Sequence, residues 1–209
     1  MELPRLPPDL LARLRADPLR APETIALAAG EVHGPAAAAW ERDLRSRYEM
    51  SDRDLAKRAK SRHAALARFG GAATGVGGLV TFLPDLATLL WIQSRLVFYI
   101  AAAHGFDPND PMRPAELLVI RDLYPDPAAA RAGLDGTGRR IAEAYVDKSL
   151  RGGRQDAVLT ARLLRFAGKR TVRSLAGRAI PGFAILFNAL SNERDTRALA
   201  DRTIAFYGG

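Results

Sequence analysis

The chain has 209 residues, 48% of them hydrophobic and 26% charged, with a formal net charge of +8. That composition fits one large folded domain and sets aside intrinsic disorder. It contains no cysteine, which excludes disulfides, Cys-ligated zinc, iron–sulfur clusters and thiol catalysis.

Met1 to Pro18 is broken by prolines and carries Glu2, Arg5 and Asp9, so it has no signal-peptide core and no secretion is expected. Residues 1–34 predict two short helices among prolines. Leu10, Leu11 and Leu14 form a small apolar face in the first, and Pro22 suits a first helical position before Glu23 to Val32 in the second. Ala36 to Tyr48 predicts a third helical stretch. Residues 1–50 therefore read as an N-terminal helical arm and residues 51–209 as a helical domain. Ser51, with Asp54 three residues on, signals the capped start of a basic, alanine-rich helix through Arg68.

A glycine-rich stretch follows, from Gly70-Gly71 to Gly77-Gly78, and then Pro84-Asp85 opens a long apolar helix that closes at His104-Gly105. Pro84 fits the first turn of that helix, Asp85 complements its N-terminal dipole, and His104-Gly105 is a stop signal. Beyond the turn-rich segment Phe106 to Pro114, helices are predicted from Ala115 to about Tyr124, within Asp126 to Gly138, and over Arg139 to Leu150. Arg151-Gly-Gly153 precedes an amphipathic helix from Asp156 to about Leu175, followed by an apolar segment, Ile180 to Leu190, and a final helix, Glu193 to Tyr207. No segment shows strand alternation bounded by hairpin turns. The expected fold is all-α: a compact multi-helix bundle with two apolar helical segments in its core.

Those two segments fall short of the about 20 apolar residues that span a bilayer. Phe69 to Pro84 gives 16 uncharged residues and Ala179 to Asn192 gives 14. Buried or interfacial packing suits them better.

The positive excess is localised. Arg139 to Arg178 holds 11 of the 31 basic residues but only three of the 23 acidic ones, so the rest of the chain balances. On the helix from Asp156, the apolar positions Leu159, Leu163 and Phe166 follow helical spacing, and Arg162, Arg165, Lys169 and Arg173 read as one basic stripe. A basic amphipathic face of this kind suits an anionic membrane surface. Nucleic-acid binding ranks below it, because no recognition motif accompanies the charge.

The catalytic templates fail in turn. A phosphate loop needs Gly-Lys-Ser/Thr, whereas Gly77-Gly78 is followed by Leu79-Val80. A dinucleotide fold needs a preceding strand. Small residues four apart, Gly71 with Gly75 and Thr74 with Gly78, with Gly77 among them, instead point to close helix–helix packing. His33, His63 and His104 lie far apart at no ligand spacing, so they read as surface or capping side chains and no metal or cofactor is expected. Gly-x-Ser-x-Gly is absent. Asp85 is the lone acid in the apolar stretch to Ser94, with Arg95 the nearest base; with Asn188 these are the candidate polar residues of a pocket.

Gly71-Ala-Ala-Thr-Gly-Val-Gly-Gly78, Leu83-Pro84-Asp85-Leu86, Ile100-Ala101 and His104-Gly105-Phe106-Asp107 together resemble the EcsC family. Ile180-Pro181-Gly182, Asn188 and Thr196 through Tyr207 are similar to that family's second block, although Phe183 to Leu186 stand where it favours small residues. The resemblance implies an all-helical bacterial protein, cytoplasmic or membrane-associated, and it brings no established reaction. The functional expectation is a non-enzymatic accessory or interaction protein, peripheral to the inner membrane face, touching anionic lipid or a transporter. The alternative is a binding protein or enzyme for an apolar small molecule held between the glycine-rich and C-terminal apolar helices.

Overall fold

A computed structural model of the chain describes residues 4–72, 78–136, 155–167 and 183–209; within these, 69–72, 78–85, 155–157 and 183–191 are described as helix only. The described residues form α1 (Leu10–Ala16), a short 3-10 turn (Pro18–Arg20), α2 (Ala21–Arg47), α3 (Asp52–Ala72), α4 (Gly78–Ala103), α5 (Arg113–Ile120), α6 (Pro127–Leu134), α7 (Gln155–Ala167) and α8 (Phe183–Gly208). They contain no strand. The all-α bundle expected from the sequence is the fold.

Local chemistry explains the helix boundaries. The Ser51 hydroxyl accepts the Asp54 N–H at 3.2 Å and donates to the Asp54 carboxylate at 2.7 Å, fixing the start of α3. α4 ends in a Schellman turn: Gly105 takes φ of 80°, its N–H bonds the Ala102 carbonyl, and the Phe106 N–H bonds the Ala101 carbonyl. α5 ends in the same turn, but the left-handed position, φ 58°, is held by Asp122. The Asp126 carboxylate caps α6 by accepting the Ala129 N–H at 2.8 Å, with Pro127 in the first turn.

Several boundaries depart from the sequence reading. The two helices expected on either side of Gly34-Pro35 are one, because α2 runs through Pro35. Pro35 and Glu31 both lie on the exposed face, so the carbonyl that proline leaves without a donor meets water. α4 begins at Gly78, which puts Pro84 inside the helix and not in its first turn. The C-terminal apolar segment and the final helix are likewise one element, α8.

α4 is the central element. α2 runs parallel to it, as the successive pairs His33–Trp91, Trp40–Tyr99 and Leu44 with Ala103 show. α3 runs antiparallel to α4, with Leu66 and Ala67 against Leu89 and Ile92 at one end and Leu55 and Ala56 against Ala103 at the other. α8 lies antiparallel along α3, in a register marked by Lys60 to Asp201 and Arg68 to Glu193. Surrounded this way, α4 is mostly apolar, and its buried polar side chains Gln93 and Ser94 are hydrogen-bonded. Among the described residues, Leu86–Ala103 is long and apolar enough to cross a membrane, and 89% of it is buried inside the protein. The first 50 residues join the same core: Leu10, Leu14, Ala21 and Ile25 pack in one cluster with Trp91, Phe98, Leu117 and Phe166.

Candidate functional site

The sequence-derived candidates fall in different places. Thr74, Gly75, Gly77, Lys169 and Arg173 lie outside the described residues. Gly71 and Gly78 belong to the last turn of α3 and the first of α4, and Asp85 and Asn188 to α4 and α8; their surroundings are likewise outside the description. Arg165 is exposed on α7, but Arg162 is buried at 9% exposure. The expected outward stripe therefore does not include Arg162. It faces inward toward Glu23 and Tyr124: burial lowers its pKa, and the Glu23 carboxylate works in the opposite direction. Tyr124 donates its hydroxyl to Glu23 Oε1 at 2.7 Å, and this buried cluster joins α2, α7 and the segment after α5.

A second inward cation is Arg121, at 4% exposure. Its Nη1 donates to the Phe166 carbonyl and its Nη2 to Gln93 Oε1, each at 3.0 Å, and its guanidinium stacks on the Phe166 ring. Burial first, then the Arg202 charge, pulls its pKa down to about 9. The partly negative C-terminal end of α7 compensates in part. This arrangement ties α4, α5 and α7 together.

Arg95 leads to the most unusual cluster. On α4, Trp91, Arg95 and Tyr99 share one face, which meets His33 and Trp40 of α2 and His63 of α3. The His33 ring lies 4.2 Å from Trp91, the His63 ring 5.0 Å from Tyr99, and Trp40 also 5.0 Å from Tyr99. Arg95 Nη2 donates to the Tyr99 hydroxyl at 2.6 Å, with its guanidinium 4.7 Å from the ring centre. His33 and His63 are at most 2% exposed, so they are core side chains and not the surface or capping residues expected.

Both imidazoles are neutral. Burial, followed by repulsion from Arg95 and then from His63, lowers the pKa of His33 to about 3, against a hydrogen bond with the Trp91 backbone. Burial lowers that of His63 to about 3, aided by Arg95 and Arg62 and opposed by its bond to the Ala59 carbonyl. That bond, 2.8 Å from Nδ1, makes Nδ1 the protonated nitrogen and leaves Nε2 of His63 as an acceptor. Nε2 of His33, Nε2 of His63 and Nε1 of Trp91 are buried with no hydrogen-bond partner. An unmet buried donor or acceptor costs about 1–3 kcal/mol, and three of the seven such atoms among the described residues belong to this cluster. Bases this weak are poorly suited to proton transfer near neutral pH.

Two cations, Arg62 and Arg95, act on this cluster. Six basic residues lie on α3 between Arg53 and Arg68. Lys57, Lys60 and Arg68 pair with Asp54, Asp201 and Glu193. Arg53, Arg58, Arg62 and Arg95 form no ion pair among the described residues.

Comparison with known families gives a match to the EcsC protein family over residues 41–208. The chain belongs to the EcsC family. No curated protein and no solved structure matches it. In this EcsC-family chain the matched region carries Arg62, His63, Trp91, Arg95 and Tyr99, whereas His33 and Trp40 on α2 precede it. Spacing along the sequence gave no pointer to this cluster, yet a helical period did exist. His33 falls in register with the buried Ala26, Ala29 and Ala37, and His63 with Ala56, Ala59 and Ala67.

Proposed function

We propose that this EcsC-family protein is a non-enzymatic bacterial accessory protein working peripherally at the cytoplasmic face of a membrane, in contact with anionic lipid or a membrane protein such as a transporter. One observation supports this reading above the others. Of the four large hydrophobic side chains exposed among the described residues, Tyr48, Phe106 and Phe206 gather at the same end of the bundle. There α2, α4 and α8 finish and α3 begins, joined beneath by Leu44, Leu55, Ala103 and Ile204. Phe106 and Phe206 both lie 5.0 Å from Tyr207. Aromatic rings are favoured at the membrane–water boundary, and Arg53 and Arg58 nearby add charge attracted to anionic headgroups.

Sedimentation with phosphatidylglycerol and with phosphatidylcholine vesicles tests the proposal. Wild type should sediment with the first at low salt and detach as salt rises, and Tyr48→Ser/Phe106→Ser/Phe206→Ser should bind at least about tenfold more weakly. Equal behaviour of the two proteins, or no sedimentation of either, rejects it.

A second reading is a binding protein for an apolar small molecule held between the glycine-rich and C-terminal apolar helices. It draws support from the antiparallel register of α3 on α8, which carries the glycine end of α3 toward the first turns of α8.

A further inference from the structure

Three helices contribute polar atoms that the protein itself leaves unmet. His33 on α2, His63 on α3 and Trp91 on α4 each bury a nitrogen with no hydrogen-bond partner, and none of the three residues is more than 2% exposed. Nε2 of His63 accepts, because Nδ1 is committed to the Ala59 carbonyl at 2.8 Å, and the indole N–H of Trp91 donates. Beside them stand Arg62 and Arg95, both half-buried and without an ion-pair partner among the described residues. The Tyr99 hydroxyl, 2.6 Å from Arg95, holds that guanidinium over the Tyr99 ring, against which His63 also packs.

We propose that the histidine–tryptophan cluster where α2, α3 and α4 meet is a binding site for a small oxyanion that also carries hydroxyl or amine groups, a phosphate monoester of a polyol being the simplest example. The oxyanion lies against Arg62 and Arg95, whose charges both bear on His63. The donor groups of the ligand reach the imidazole nitrogens, and a ligand oxygen accepts the Trp91 N–H. Trp40 and Tyr99, tilted against each other with ring centres 5.0 Å apart, supply an aromatic wall. Such chemistry is found in soluble phosphate esters and equally in the headgroup of an anionic lipid.

Isothermal titration calorimetry on the full chain separates these sources, using sn-glycerol 3-phosphate, inorganic phosphate and glycerol as probes. The ester should bind saturably, phosphate at least about tenfold more weakly for want of donors, and glycerol not at all. Arg62→Gln/Arg95→Gln should weaken the ester at least about tenfold, while Arg165→Gln, on the exposed face of α7, leaves it unchanged. Phosphatidylglycerol vesicles that compete with the ester identify a lipid headgroup as the occupant; binding of the ester without competition identifies a soluble one. Absence of saturable heat with both phosphate probes, or equal affinity in the folded double variant, overturns the site. Vesicle binding that survives Arg62→Gln/Arg95→Gln but is lost in Tyr48→Ser/Phe106→Ser/Phe206→Ser leaves the membrane reading standing while this site falls.

Discussion

Lowering the pH provides a quantitative probe of the two buried histidines. In the unfolded chain each imidazole titrates near 6.5, whereas in the folded protein each is held at about 3. Between those values the unfolded chain binds protons that the folded protein refuses, so stability is complete above about pH 6.5 and falls as the pH drops toward 3. At about pH 5 the difference is worth about 2 kcal/mol per histidine relative to about pH 7.5, or about 4 kcal/mol for the pair. Urea unfolding of wild type, His63→Leu and His33→Leu/His63→Leu at both pH values, in phosphate-free buffer, isolates this contribution, because the carboxylates titrate alike in all three. The pH-dependent loss should shrink by about 2 kcal/mol in the single variant and by about 4 in the double. Should the leucine variants fail to fold, His63→Gln carries the same expectation. Equal losses in wild type and variants would refute the burial of neutral imidazoles.

Three further outcomes follow from the packing. Arg162→Gln, at a buried position, should cost about 1–3 kcal/mol in chemical denaturation, whereas Arg165→Gln, at an exposed one, should stay within about 0.5 kcal/mol; equal effects would mean that Arg162 faces water. A Cβ on Gly34 would stand 2.8 Å from the Pro108 carbonyl oxygen, so Gly34→Ala should lower stability by about 1–3 kcal/mol despite its better helix propensity, and an unchanged melting temperature would contradict that contact. At the two Schellman turns, Gly105→Ala should cost about 1 kcal/mol, whereas Asp122→Gly should cost nothing; a loss in Asp122→Gly would show that its 2.9 Å pairing with Arg202 outweighs the backbone term.

What was legible in the sequence was local. Ser51 and His104-Gly105 act through their immediate neighbours, the first starting a helix and the second ending one where the residue types indicate. The apolar helix ending at His104 also stood out, because a central helix needs no polar face. Helix continuity through Pro35 was hidden, since whether a proline breaks a helix depends on whether the freed carbonyl meets water. Arg162 shows a similar limit. Its position on the helix lies between the directions of the Arg165 side and the Leu159–Phe166 face, only about 40–60° from the latter, and the fold buries it on the side of Glu23, far away in sequence. Counting charge along the chain located the excess at Arg139 to Arg178, yet it passed over Arg62 and Arg95, which are balanced in number by acids that the fold places elsewhere. The histidine–tryptophan cluster needs residues 33, 63 and 91 brought together by three helices, and one sequence contains no record of that meeting.

Mass spectrometry of what remains bound to the native protein after gentle purification tests most directly whether the protein holds acidic molecules at a membrane face. Wild type should retain a phosphate-bearing lipid or ester in a fixed molar ratio, and Arg62→Gln/Arg95→Gln, folded to the same melting temperature, should have lost it. Recovery of no acidic molecule from wild type would contradict the account, and the same amount from both proteins would remove Arg62 and Arg95 from it.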